Sequence, residues 1–290
     1  MRVEAQTPQF LAIGHLTRDG YADGSFSVGG TVAFAAITAY RLGLAAAIVS
    51  CASELPPAEL FSGIALHIRS STQTTTFVNR YTDGFRTQYL LARSDVLSVD
   101  DVPSNWRNAP IVLLAPLAQE LTPEFVTLFP RRSGALIAAT PQGWLRRWDS
   151  DGRVWPTTWH AAERVLPLLD SLILSHDDLL PFAHGNRAKA DALLAHWSTQ
   201  VPLLVATDGR HGATLFRHGT AQRFPAYTSQ EIDPTGAGDV FAAAFLIHLY
   251  WHRDAEQAMN FANCVASFSI EQQGIQGIPT LEMVQARLRI

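Results

Sequence analysis

Apolar residues fall along this chain in short runs separated by stretches with helical spacing. Phe10-Leu11-Ala12-Ile13-Gly14 reads as a first buried strand. The pattern then predicts a helix over about residues 30–42, stopped at Gly43 by the usual left-handed glycine, and a second core strand from Ala45 to Ser50. Further apolar runs stand at 64–68, 111–115, 135–139, 172–174 and 203–206, with helical spacing between several of them, as at 188–197. Short apolar strands alternating with helices predict a mostly parallel sheet covered on both faces.

One region breaks that alternation. Residues 73–78 and 86–91 are β-rich and joined across Tyr81-Thr82-Asp83-Gly84, and an Asp-Gly pair between such runs signals a hairpin. A smaller β-rich piece, Tyr21 to Val28, precedes the first helix. No linker, repeat or low-complexity run divides the chain, so the expectation is one domain, 1–290, with small β insertions at about 20–29 and 72–92.

Composition narrows the function classes. With 290 residues and 47% hydrophobic content, the chain can bury a sizeable core. A net charge of −4 and a pI near 6.2 argue against nucleic acid or an anionic membrane as partner. The adjacent pairs Arg131-Arg132 and Arg146-Arg147 read as solvated surface. Cys51 and Cys264 lie far apart and outside CxxC spacing, so buried free thiols are expected. The N-terminus lacks a signal-peptide pattern, and the apolar stretch Val32 to Val49 is interrupted by Arg41 and Gly43. The expected location is the cytoplasm.

The chemistry concentrates in Asp233-Pro234-Thr235-Gly236-Ala237-Gly238-Asp239, followed at once by an apolar helical run. The first N–H groups of a helix have no internal partner and carry the positive end of its dipole. Glycines let a phosphate approach those groups closely. A carboxylate beside such a cradle repels a resting phosphate. It suits a phosphoryl group in transit, where the attacking alcohol must lose a proton. A dinucleotide fingerprint is the rival reading, but Phe241 stands where its third glycine belongs.

Asp-x-Thr-Gly-Ala-Gly-Asp near the C-terminus resembles the signature of the ribokinase-like, or PfkB, carbohydrate kinases, and the resemblance extends over nearly the whole chain. It implies a Rossmann-like three-layer α/β sandwich with a small β lid over the acceptor. It also implies transfer of the γ-phosphate of ATP to a sugar or polyol hydroxyl, with Mg2+ and, in some members, a monovalent cation. Asp239 would be the base, and the N–H groups of Gly236, Ala237 and Gly238 would stabilise the transferring charge. Thr207, Gly209 and Gly212 of the loop after the strand at 203–206 would hold ATP, with Asn263 beside the adenine.

Acceptor contacts would come from Asp19, Gly29 and Gly30, together with Asp239. Phe34 departs from the family's asparagine there, and a phenylalanine cannot bond a hydroxyl. Ser175-His176-Asp177-Asp178 stands where the family carries Asn-Glu-x-Glu; Asp178 keeps a carboxylate for metal, while helix capping is the plainer reading of the segment. Asp233 and Gly274 mark the family's monovalent-cation loop. Thr74-Thr75-Thr76-Phe77 and Phe268-Ser269-Ile270-Glu271-Gln272 look most like the myo-inositol kinase branch.

Two rivals stay open. A nucleoside kinase is the same chemistry on another acceptor, with Phe26 and Phe34 available to stack a base; a non-catalytic sugar or nucleotide sensor would have no use for Asp239. The expected partner is a small molecule, and the chain would be a monomer or a homodimer through the lid. His248 and His252 have zinc-compatible spacing, but Leu249 stands where a zinc protease has its glutamate, so two surface histidines are expected. The turn Pro141-Gln142-Gly143-Trp144 is distinctive, and no role follows for it from the sequence.

Overall fold

Alternation along the first strand already divides the core in two. In Phe10–Ile13, Phe10 and Ala12 enter one hydrophobic cluster, while Leu11 and Ile13 enter another on the opposite face. A strand buried on both faces needs a covering layer on each side. The computed structural model describes residues 7–21, 24–82, 85–132, 134–183 and 185–289.

Numbered along the chain, the central sheet contains β1 (Phe10–Ile13), β4 (Ala46–Ala52), β5 (Ala65–Ser70), β8 (Ile111–Leu114), β9 (Leu136–Ala139), β12 (Ser171–Ser175), β13 (Leu203–Thr207), β14 (Ala213–Arg217) and β15 (Thr220–Phe224). Their spatial order is β15-β14-β13-β12-β9-β8-β1-β4-β5. The run from β13 to β5 is parallel, and β14 and β15 add an antiparallel edge.

Helices α1 (Thr31–Arg41), α5 (Ala237–His252), α6 (Ala255–Ser269) and α7 (Leu281–Leu288) cover one face. The other carries α2 (Ala162–Val165), α3 (His176–Leu179) and α4 (Arg187–Trp197), with Trp144 stacked on Trp159 at 4.9 Å. The expected three-layer α/β sandwich is therefore observed.

Strand–helix alternation is weaker than the apolar pattern predicts. Between β4 and β9 the connections are 3-10 turns, at Ala58–Phe61, Ser104–Asn108 and Pro123–Thr127. Pro56, Pro57, Pro103, Pro110, Pro116, Pro123 and Pro130 punctuate this stretch, and proline in a helix interior removes a hydrogen bond and clashes with the preceding turn.

A second sheet of order β3-β2-β6-β7 is built from β2 (Thr17–Gly20), β3 (Phe26–Gly29), β6 (Thr75–Thr82) and β7 (Phe85–Ala92). It begins at Thr17, ahead of the insertion expected at about 20–29, so Asp19 sits on a strand of this sheet rather than in a loop. The hairpin tip, Asp83-Gly84, lies outside the described residues. A small hairpin of β10 (Arg146–Trp148) and β11 (Val154–Pro156) completes the strands. Among the described residues, no helix is long and apolar enough to cross a membrane.

Candidate active site

The carboxyl ends of β1, β12 and β13 open toward the amino end of α5, the edge where parallel α/β sheets bind ligands. Gly236 caps α5 with a left-handed φ of 76°, and no side chain caps this end. The Ala237 N–H donates to the Pro234 carbonyl at 3.2 Å and closes the turn. This corrects the expectation that all three N–H groups of the loop face a phosphate. Those of Gly236 and Gly238 make no hydrogen bond among the described residues. A Cβ added at Gly238 would meet nothing within 4 Å, so its N–H borders open space.

Asp239 stands in the first turn of α5 at the floor of this opening. It keeps some contact with solvent, but protein surrounds it closely, and that burial pushes its carboxyl up to about 7. Thr31 Oγ1 donates to Asp239 Oδ1 at 2.8 Å and pulls the other way. The charges of Asp178 and Asp19 raise it, and that of Arg146 lowers it. A carboxylate titrating near neutrality is suited to accept a proton at physiological pH.

Asp19 is held against the glycine pair by the second sheet. Its strand pairs Thr17 with Gly29 and Asp19 with Ser27, and a Cβ at Gly29 would lie 2.1 Å from Asp19 Oδ2. Glycine at 29 is thus what admits the carboxylate. Gly30 follows as the cap of α1, whose first residue, Thr31, bonds Asp239. Asp19, Gly29, Gly30 and Asp239 therefore come together, as expected from sequence.

Phe34 is buried at 4% exposure and packs against Gly236. It is not an open stacking face, which corrects its expected availability to a base; Phe26 is exposed on the lid.

Asp178 serves two of the readings at once. Its Oδ2 accepts the Ser175 N–H at 3.1 Å, and Ser175 Oγ accepts the Asp177 N–H at 3.2 Å, so the segment caps α3 as its plainer reading holds. Its Oδ1 accepts from Gln142 Nε2 at 3.0 Å, and its charge reaches Asp239. His176 is buried and bonds Asp191 at 2.9 Å.

Asp233 organises its loop. Its two oxygens accept the N–H groups of Thr235 and Gly274, each at 2.9 Å. Burial raises its carboxyl, but the hydrogen bonds from Thr235 and Gly274 outweigh it and leave the group below its ordinary value. Asp233 thus joins the 233–235 turn to Gly274, the loop expected to hold a monovalent cation.

Thr207 ends β13 in register with Ser175, so the expected nucleotide loop begins beside the Asp178 segment. Gly209 borders open space with φ of 50°, whereas Gly212 is pressed onto the Phe224 carbonyl, 2.1 Å from where its Cβ would be. The same carbonyl accepts from Asn263 Nδ2 at 3.5 Å. Asn263 is buried and ties α6 to β15 beside the loop, rather than lining an open groove.

Away from this site, Cys51 and Cys264 are buried free thiols, pushed by burial up to about 12 and about 11. His248 corrects the surface reading: it is half-buried against Phe261 at 4.7 Å, and burial lowers it to about 4. Among the described residues no group of three or more His, Cys, Asp or Glu side chains could hold a metal ion.

Comparison with known proteins gives the chain's relatives. Residues 146–281 match the family described as "pfkB family carbohydrate kinase". Over that stretch, a little under half of its length, the chain is similar to PfkB-family kinases. "Probable fructokinase-5" of Arabidopsis thaliana is 30% identical over 161 residues, 50% of this chain and 49% of that protein. The inositol 3-kinase of Oryza sativa subsp. japonica is 25% identical over 228 residues, 74% of this chain and 54% of that protein. The chain thus spans about half the length of the curated relatives it matches.

Among solved structures, a pyrophosphate-dependent ribokinase-family kinase complexed with a pyrophosphate analog and myo-inositol superposes with a TM-score of 0.77. The identity is 22%, covering 96% of this chain and 99% of that one. Fructokinase with bound ATP from Xylella fastidiosa gives 0.73 at 20% identity, covering 97% and 98%. At these identities the likeness is one of fold.

Proposed function

We propose that this chain is a kinase that moves the γ-phosphoryl group of ATP to a hydroxyl of a sugar or related polyol. The observation that carries the reading is Asp239. One carboxylate, raised to about 7, stands in the first helical turn beside unpartnered N–H groups and across from Asp19. The PfkB-family match and the relatives named fructokinase and inositol 3-kinase support the acceptor class.

The residues fit the cofactors this reading needs. Open space at Gly238 and Gly209 leaves room for a phosphate chain beside backbone N–H groups. Asp178, a hard oxygen donor within electrostatic reach of Asp239, would hold Mg2+, chiefly through water. When bound, Mg2+–ATP supplies the activated phosphoryl group. Asp19 orients the acceptor hydroxyl, Asp239 takes its proton, and the N–H groups of Gly236 and Gly238 receive charge on the transferring oxygens. Thr207, Gly209 and Gly212 position the nucleotide.

We place the protein in the cytoplasm, acting on small molecules, with the 233–235 and 274 loop as the site of any monovalent cation. The experiment is a product-release assay over fructose, ribose, myo-inositol and nucleosides, with ATP or pyrophosphate as donor. Turnover on a sugar or inositol with ATP supports the reading. Turnover only on nucleosides makes the chain a nucleoside kinase, and binding without turnover on any acceptor makes it a sensor.

A further inference from the structure

The turn Pro141–Leu145 leaves the carboxyl end of β9 and leads straight into Arg146, the first residue of β10. It is anchored on every side. Gly143 lies so close to the β8 exit that a Cβ would sit 2.3 Å from the Leu117 nitrogen, and its N–H donates to the Pro116 carbonyl at 2.8 Å. Trp144 Nε1 donates to the Leu121 carbonyl at 2.7 Å, and its ring stacks on Trp159. Gln119 donates from its side chain to the Arg146 carbonyl. Gln119 itself has a φ of 55°, one of three positive-φ non-glycine residues among those described. Such strain persists where surroundings over-determine it, and it gathers at functional sites.

One side chain of this turn, Gln142, and the Arg146 that follows it approach residues of the candidate site. Gln142 fixes Asp178 Oδ1 while the Ser175 N–H fixes Oδ2, so both oxygens of that carboxylate are held. The Arg146 guanidinium lies 5.9 Å from the Phe77 ring centroid, and Phe77 is the register partner of Asp19 on the neighbouring lid strand. Arg146 is thus half-buried over the strand neighbour of Asp19 instead of on the solvated surface expected from its Arg-Arg pair. The charges that act on Asp239 include those of Asp178 and Asp19, which raise its carboxyl, and the positive charge of Arg146, which lowers it. Three carboxylates around one phosphoryl group would repel it. A cation near them offsets that repulsion where negative charge develops.

We propose that Arg146 is a further catalytic residue, its guanidinium meeting the phosphoryl group in transit opposite α5, and that Gln142 is a positioning residue that locks Asp178 toward it. This rests on the kinase reading above. In the step, the acceptor oxygen–phosphorus bond forms while the bond from the γ-phosphorus to the bridging oxygen of ATP breaks. The electron pair leaves with ADP, the hydroxyl proton goes to Asp239, and Arg146 contributes charge but no bond change.

The test uses the full chain and the acceptor that turns over. Arg146→Met should lower kcat about 100- to 1,000-fold, as loss of a transition-state donor does, and raise the donor KM about tenfold, with the acceptor KM within about threefold of the parent. Arg146→Lys should recover at least about tenfold of that loss. Gln142→Met should lower kcat about 5- to 20-fold in the parent and have no further effect in Asp178→Asn, because coupled residues are non-additive.

A parent-like kcat in Arg146→Met, or a change confined to the acceptor KM, overturns the Arg146 assignment. Additive losses overturn that of Gln142. If Arg146→Met fails to fold, Arg146→Gln reads the same quantities. A binding arm separates failure of this proposal from failure of the kinase reading. Inorganic pyrophosphate, titrated by calorimetry, should bind the parent at least about tenfold more tightly than Arg146→Gln. Equal affinity overturns the proposal. A parent that shows this difference but no turnover supports the anion contact and overturns the kinase reading alone.

Discussion

The ring of Phe34 lies directly beneath Gly236, so that a Cβ added at Gly236 would sit 2.3 Å from two ring carbons. Helix α1 thereby sets the height of the loop that opens α5. Gly236 also needs its positive φ, which a β-carbon disfavours. Gly236→Ala should therefore displace the loop and lower kcat about 100-fold, since a misplacement of about 1 Å can cost that much. Steady-state kinetics beside a melting curve check it. Parent-like turnover in a folded Gly236→Ala would mean the loop does not need this contact.

Asp239 makes activity and stability respond to pH in opposite senses. The base works ionised, so kcat/KM should rise as pH increases through about 7, where burial sets its titration. Unfolding restores the ordinary carboxylate value, so between about 4 and 7 the folded chain binds the extra proton. Stability from this group is then present at low pH and is lost as pH rises toward 7. Asp239→Asn removes that penalty. It should cut turnover by about two to four orders of magnitude and yet raise the melting temperature more at pH 8 than at pH 4. Equal shifts at both pH values would contradict the raised titration.

Thr31 supplies an independent handle on the same group. Its hydroxyl donates to Asp239 Oδ1 and favours the ionised form. Thr31→Val should move the acid limb of the pH–rate profile upward and leave the limiting rate at high pH within about tenfold of the parent. An unmoved acid limb would show that the hydrogen bond does not tune the base.

Much of the site was legible because its chemistry sits in short contiguous motifs. Gly236, Gly238 and Asp239 occupy one helical turn, and periodicity alone locates that turn. Asp19 and Gly29 were legible as residues but not as a pair, because their contact depends on β2 and β3 pairing across the lid. Asn263 and Phe34 carry no local signal for what they touch. Their partners, Phe224 and Gly236, are brought to them only by packing of α6 and α1. Arg146 was misread for the same reason: an Arg-Arg pair looks solvated until the hairpin folds one member over Phe77. The 3-10 connections were hidden because apolar spacing does not report helix length where proline cuts it.

Two glycines of the nucleotide loop should separate binding from folding. Gly209 faces open space, so Gly209→Val should raise the ATP KM more than the acceptor KM. Gly212 is pressed onto the Phe224 carbonyl, so Gly212→Ala should lower the melting temperature and weaken both substrates together. An equal rise of both KM values in Gly209→Val would place ATP elsewhere.

The lid sheet carries Asp19, so its position relative to the core decides whether the acceptor is held. One end of the hairpin is tied down: Thr75 Oγ1 bonds buried His15 Nδ1 at 2.7 Å and accepts the Ser94 N–H at 3.0 Å. His15 is itself fixed by Glu120, which accepts its N–H at 2.9 Å. The same sheet turns apolar side chains to solvent, Phe26 and Leu91 both being 54% exposed. Hydrogen exchange should therefore slow on acceptor binding along residues 78–82 and 85–90, while residues around Thr75 stay protected with or without it. Shortening the hairpin should weaken acceptor binding and raise ATP hydrolysis relative to transfer, because an open site admits water as the competing acceptor. Nucleotide affinity should hardly change. If exchange ignores the acceptor and the shortened protein transfers phosphate as cleanly as the parent, the sheet is not a lid. Its exposed apolar edge is then better explained as a subunit contact, and light scattering should find a dimer that the shortened hairpin dissociates.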